Sequence, residues 1–334
     1  MSFAPRRHTS TRSIAAGVGL AGILAAGMAT AAGAATPGRA AARDSDRPEI
    51  MMKIHGDPSH AAKPVSRSRT ALLSYQGGIG GAGVVTGGDK VFVVFWGSQW
   101  NGNDPSGEAA VEQGFFNAVG GSSWNNSVTQ YCQGVAIGTT SCGSSGTHAV
   151  NPTGVLGGVW YDNAASAPSS PTQGQLAGEA INAAAHFGNT NAAVNQTVQY
   201  VINTATGNNS SGFGTSWCAW HSSTGSSYGN IAYTNMPYMT DAGASCGANF
   251  NGLGAKAGIT IVGGHEFAET ETDIFPNGGW LDRGGAENAD KCAWIGSGQG
   301  AAANVSLSGG ASYAVQSLWS NVFGSSGGCV NSYP

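Results

Sequence analysis

Charge is scarce in this chain, and positive charge is nearly missing from most of it. Only 10% of the 334 residues are Asp, Glu, Lys or Arg. Of the 14 Lys and Arg, four lie beyond residue 74: Lys90, Lys256, Arg283 and Lys291. Fourteen of the 18 acids lie there, so this part carries a net charge of −10. Such a surface repels phosphate backbones, which excludes nucleic acid as a partner. No CxxC pair occurs, which argues against a cysteine-held zinc. There is no G-x-S-x-G for a serine hydrolase, no G-x-x-x-x-G-K-[ST] and no strand-linked dinucleotide fingerprint. Beyond the first residues no apolar run approaches the roughly 20 residues that span a bilayer.

What is present begins with an export signal. Arg6, Arg7 and Arg12 precede an apolar, Ala- and Gly-rich stretch from Ile14 to Met28, and Ala32-Gly33-Ala34 offers a small-residue cleavage site. Residues 1–34 therefore read as a secretory signal peptide, and the protein as secreted and extracellular. Six cysteines follow: Cys132, Cys142, Cys218, Cys246, Cys292 and Cys329. An even count in an exported chain implies three disulfides, and pairing sequence neighbours gives 132–142, 218–246 and 292–329. Residues 35–73 lack aromatics and carry seven of the 14 basic residues, as a pro-segment or disordered linker does. Residues 74–334 read as a single extracellular domain.

Within that domain Lys90 to Trp96 reads as a buried strand, and Gly107 to Val119 as a helix with Phe115 and Phe116 facing inward. Val155 to Tyr161 reads as a second strand. Ser170-Pro171 opens a helix that stops at Gly188. Gln199 to Asn203 and Ile231 to Tyr233 read as strands, Ala257 to Thr272 as a helix, and residues 301–334 as two short strands. Strands alternating with helices predict a mixed α/β fold, a mixed sheet with helices, stapled by disulfides. The tryptophans suit core packing better than a sugar platform.

The chemistry concentrates at His265-Glu266-Phe267-Ala268-Glu269. On a helix His265 and Glu269 share one face, the layout of the zinc-peptidase helix H-E-x-x-H with glutamate in place of the second histidine. Seven acids crowd between Glu266 and Asp290. So many carboxylates in 25 residues need a cation or hydrogen-bond donors. His265, Glu269 and Glu287 are the expected metal ligands, with Asp290 orienting His265 and Asp273 and Asp282 as alternatives. Glu266 is the expected general base. Zn²⁺ is the expected ion, and the hard His–Glu–Glu set also suits Ca²⁺ or Mn²⁺. His221, beside a disulfide cysteine, is a candidate to stabilise an oxyanion or complete the metal shell. The other histidines, His186 and His148 among them, read as packing or loop residues.

Five pieces in order are similar to the phosphate-induced protein 1 family, the EXORDIUM-like extracellular proteins of plants and their bacterial relatives. Cys218-Ala219-Trp220-His221-Ser222 resembles the family's C-x-x-H-x-S element, and Cys246 falls where a further cysteine follows. His265 to Glu269 resembles its H-E-[IL]-A-E helix. Trp280 with Glu287-Asn288-Ala289-Asp290-Lys291-Cys292 resembles its A-W-Y … E-x-x-D-x-C segment, and Trp319-Ser320-Asn321 with Cys329 its terminal W-S-x … C. Tyr75-Gln76-Gly77-Gly78 and Val91 to Trp96 resemble its front elements, with Gln76 where the family has His. The resemblance implies that H-E-x-x-E and E-x-x-D act as one unit, supports a Cys292–Cys329 bridge, and brings association with the cell wall. By analogy of motif it implies a zincin-like fold.

These readings converge on a secreted metal-dependent hydrolase, a zinc-type metallopeptidase acting as a monomer on protein or peptide. The alternative is a non-catalytic extracellular protein that binds cell-wall polysaccharide or signals, with a structural ion. A glycan hydrolase using two of the clustered carboxylates is a third reading.

Overall fold

The computed structural model describes Met1, residues 50–55 and residues 71–333. Most of the expected signal peptide and of the 35–73 segment lies outside these residues. Residues Asp44–Pro334 form one compact unit. Its centre is a six-stranded mixed sheet built from β1 (Ile50–Lys53), β3 (Lys90–Trp96), β6 (Leu156–Asp162), β7 (Val198–Thr204), β8 (Trp217–Ser226) and β9 (Gly229–Met236). The spatial order is β1-β8-β9-β7-β3-β6. Strands β6, β3, β7 and β9 run parallel, while β8 is antiparallel to both β9 and β1. Short pairs β2 (Ser74–Tyr75) with β10 (Trp280–Leu281), and β4 (Cys132–Gln133) with β5 (Thr147–His148), lie outside this sheet. So do β11 (Ala303–Ser306) with β12 (Ser312–Val315), and β13 (Leu318–Ser320) with β14 (Gly328–Val330). The fold is mixed α/β, as expected.

Helices cover both faces of the sheet, which explains the unbroken apolar run of β3. Val91, Val93 and Phe95 join Phe115, Phe116 and Val119 of α1 (Glu108–Val119) and Ile259, Ile261, Val262 and Phe267 of α4 (Ala257–Thr272) in one core. Val94 faces the other way, onto Leu176, Ala180, Ala183 and Ala184 of α2 (Gln173–His186). A parallel strand between two helical layers has no solvent face, so the period-two alternation disappears. A one-turn helix α3 (Ala192–Asn195) precedes β7. The start of α2 differs from expectation. Thr172, not Ser170, is the cap, and its hydroxyl and Gln175 form a reciprocal capping box that outcompetes the Ser-Pro signal.

Two further departures concern strands. The C-terminal segment holds four short strands rather than two, because its turns are tighter than the apolar pattern reveals. The absence of packing expected over residues 35–73 does not hold at its centre. Ile50–Lys53 pairs with the edge of β8, placing Ile50 opposite His221, and Met52 is fully buried in the main core. The Trp294 indole donates to Lys53 O at 2.7 Å. The apolar run Ile50-Met51-Met52 is enough for one edge strand without any aromatic residue.

Helix α1 also buries Glu112, whose carboxyl is pushed up to about 8 by burial and by Glu108, against a hydrogen bond from Asn203. An acid raised on folding binds more protons in the native state. Its contribution to stability is present below its ordinary value and is lost as pH climbs toward 8. Glu112→Gln is expected to leave the melting temperature unchanged at pH 5 and to raise it at pH 8.5. The advantage should grow by about 1.4 kcal/mol per pH unit between about pH 5 and 8. Thermal melts at the two pH values check this.

Candidate metal centre

Helix α4 is buried along its whole length: its first half is apolar or small-sided on every face, and its second half buries His265, Glu266, Glu269 and Glu271 as well. Gly258 lets its first turn pass against the carbonyl of Cys246, where a Cβ would collide. Cys246 is bridged to Cys218 in β8, and that bridge holds the start of β8 against the start of α4. Three residues after Cys218, His221 turns its ring toward the helix. The other two bridges are Cys132–Cys142 and Cys292–Cys329, so all three expected pairings are present. No cysteine is free. Three disulfides fit an oxidising compartment. Among the described residues no helix is long and apolar enough to cross a membrane.

The segment after β10 is strapped onto α4 from the other side. The Asn288 amide donates to Ala268 O at 2.9 Å and Thr272 Oγ1 at 3.1 Å, and Trp319 N donates to Asn288 O. Asp290 N donates to Glu269 Oε1 at 2.9 Å. The 292–329 disulfide closes the loop behind Asp290. These contacts bring His221, His265, Glu266, Glu269, Glu287 and Asp290 together, so the expected residues assemble into one centre.

Within the centre the roles of Glu287 and Asp290 differ from expectation. Asp290 Oδ1, not Glu287, stands near His265 Nε2, at 3.7 Å, with Glu269 Oε1 at 3.1 Å. Glu287 instead faces His221, its Oε2 3.3 Å from Nε2. The orienting partner of His265 is Gln316, whose Oε1 lies 3.1 Å from Nδ1. Gln316 is fixed in turn by its amide to Ala289 O at 2.7 Å. No sequence reasoning pointed to Gln316, a lone glutamine between two short strands with no motif around it. His221 Nδ1 lies 3.0 Å from Glu266 Oε2 and 3.5 Å from Glu269 Oε2.

Two donor sets thus converge, His265–Glu269–Asp290 and His221–Glu266–Glu269. A tetrahedral ion with bonds of about 2.1 Å has ligand atoms about 3.4 Å apart. The 3.1 and 3.7 Å separations around His265 Nε2 bracket that spacing. His221 Nε2, His265 Nε2, Glu266 Oε1, Glu269 Oε2 and both Glu287 oxygens are buried without a hydrogen bond. The close approaches at Nε2 are thus contacts of misaligned polar groups, each costly unless something else binds them. His221, His265, Glu266, Glu269 and Glu287 are at most 1% exposed, while the Asp290 side chain is 26% exposed and marks the open side.

The electrostatics match a site short of positive charge. Burial alone pushes His265 down, but Glu269, Glu266 and Asp290 outweigh it and raise the imidazole to about 10. His221 is raised in the same way, burial being outweighed by Glu266, Glu269 and Asp273. Burial and the neighbouring Glu269, Asp273 and Asp290 lift Glu287 well above the carboxylate range. Burial and Glu269 raise Asp290 to about 7. Burial raises Glu266 as well. Burial also acts to raise Glu269, but His265 and His221 beside it bring its carboxyl lower. Acids that hold protons and imidazoles that gain them are what a buried, acid-rich cluster that could hold a cation shows without one.

Of the other acids of the cluster, Asp282 and Glu271 turn away, while Asp273 stays beside Glu287. Asp282 pairs with Lys291 at 3.0 Å. Asp273 accepts from Asn277 N and Gly278 N, while Glu271 takes the Asn125 amide at 2.9 Å on the far side of the helix. His186 stacks on Trp160 at 4.1 Å, and His148 binds Thr129 O, both outside the centre. Comparison with known proteins finds no matching family model, no matching curated protein and no matching solved structure.

Proposed function

We propose that this chain is a secreted metal-dependent hydrolase of the peptidase type. The observation that carries the reading is the convergence at ligand spacing of His265 Nε2 and Glu269 Oε1 from the buried helix α4 with Asp290 Oδ1 from the segment after β10. Glu266 is the neighbouring carboxylate. Zn²⁺ suits this set, and Ca²⁺ or Mn²⁺ suits its carboxylates. A bound divalent ion supplies Lewis-acid polarisation of a carbonyl and a more acidic water. The chain's own part is threefold. His265 and the acids hold the ion, and Gln316 fixes the ring of His265. Glu266, held by His221 at 3.0 Å, accepts the proton of the attacking water. Exposure at Asp290 gives the side from which an extended peptide approaches.

The purified extracellular protein is expected to cleave a denatured protein substrate. It should lose that activity to a chelator and regain it with added Zn²⁺. Hydrolysis unaffected by chelation counts against the proposal. A second reading, an extracellular cell-wall-binding protein with a structural ion, draws support from the near-complete burial of five of the six residues. The similarity to EXORDIUM-like proteins leans the same way. Under it His265→Ala lowers stability, and Glu266→Gln changes nothing but the local charge.

A further inference from the structure

We propose that the centre takes two divalent cations bridged by Glu269, the second held by His221 and Glu287. The inference rests on the cation-site reading above and extends it from one ion to two. Glu269 has one oxygen beside each histidine. Oε1 lies 3.1 Å from His265 Nε2, and Oε2 lies 3.5 Å from His221 Nδ1. An ion among His265, Glu269 Oε1 and Asp290 leaves most of the orphaned atoms unserved. Glu269 Oε2, His221 Nε2 and both Glu287 oxygens would still be buried with no hydrogen bond.

These atoms are not short of neighbours; the neighbours are of the wrong kind. The Glu287 carboxyl lies in hydrogen-bonding range of the Glu269 and Asp273 carboxyls, groups that repel one another once all are ionised. His221 has the form of a ligand already oriented. Nδ1 lies 3.0 Å from Glu266 Oε2, and Nε2 lies 3.3 Å from Glu287 Oε2; with its one proton on Nδ1 the neutral ring would turn the Nε2 lone pair to an ion. A carboxylate on one imidazole nitrogen and a metal on the other is a common second-sphere arrangement. His265 repeats it, with Gln316 on Nδ1 and Nε2 toward Asp290.

Charge leads to the same number. Glu266, Glu269, Asp273, Glu287 and Asp290 bring five carboxylates to two histidines. The adjacent buried lysine, Lys291, is engaged with Asp282. One divalent ion offsets two of those five charges, and two ions offset four. Buried charge without compensation is among the most costly states a fold can hold.

The test uses the full secreted chain, stripped of metal, loaded separately with Zn²⁺ and with Mn²⁺, and passed into chelator-free buffer. Two ions per chain by elemental analysis are expected. In the Mn²⁺ form, two ions sharing a carboxylate about 3.5–4 Å apart give a spin-coupled electron paramagnetic resonance spectrum rather than the six lines of an isolated ion. Glu287→Gln and His221→Gln, near-isosteric changes, are each expected to drop the count from two to one while a cooperative melt persists. One ion per wild-type chain, or two with an uncoupled spectrum, overturns the bridged pair and leaves the cation-site reading standing. No bound ion overturns both. If either variant fails to fold, the wild-type count and spectrum decide the matter alone.

Discussion

Glu266→Gln is expected to lower hydrolysis by about a hundredfold or more while bound metal is unchanged. The side chain is 1% exposed, and glutamine matches it in size, so the site keeps its shape. Its Oε2 takes the His221 Nδ1–H at 3.0 Å, a bond that an amide oxygen can still accept. What glutamine cannot do is take a proton. The loss should therefore appear in kcat, with KM and metal content little altered. Elemental analysis beside kinetics on the same preparation separates the outcomes. Loss of activity together with metal would make Glu266 a ligand. Undiminished activity would remove the base and favour the structural-ion reading.

The second large effect is on stability. Removing metal is expected to lower the melting temperature by about 10 °C. An ion at a thousandfold above its Kd stabilises by about 4 kcal/mol, and each kcal/mol moves the midpoint of a domain this size by about 2–4 °C. Relief of the metal-free centre, where at least six buried polar atoms are left without hydrogen bonds, is one source of that affinity. The drop should be reversed by Zn²⁺ and be smaller in His265→Ala, which lacks the nitrogen ligand of the first site. Differential scanning calorimetry with and without chelator measures it. A melting temperature indifferent to chelator would mean that the acids and imidazoles settle their charges by sharing protons.

Much of this could be read from residue types and spacing. Lys90 to Trp96 is a strand with the predicted ends, because seven residues of β-prone apolar character admit little else. The helix Ala257–Thr272 also matches, and His265 and Glu269 share a face because four residues make just over one turn. Asp290 was legible as an acid at metal-ligand distance along the chain, but spacing could not say that it, rather than Glu287, meets His265. That choice belongs to backbone hydrogen bonds such as Asp290 N to Glu269 Oε1, which depend on the tertiary path. Glu271 looked like part of the cluster by density alone. Helical phase turns it away from His265, toward Asn125. Gln316 and β1 were hidden for a different reason: both act through long-range partners, at His265 and along β8, and neither carries a local pattern.

Anomalous X-ray scattering at the zinc edge from crystals of the zinc-loaded protein shows whether a divalent cation sits at the helix. A peak is expected about 2.0–2.2 Å from His265 Nε2 and from an oxygen of Glu269, with Asp290 close by. A map with no peak there, or with zinc bound only elsewhere on the molecule, would contradict that placement.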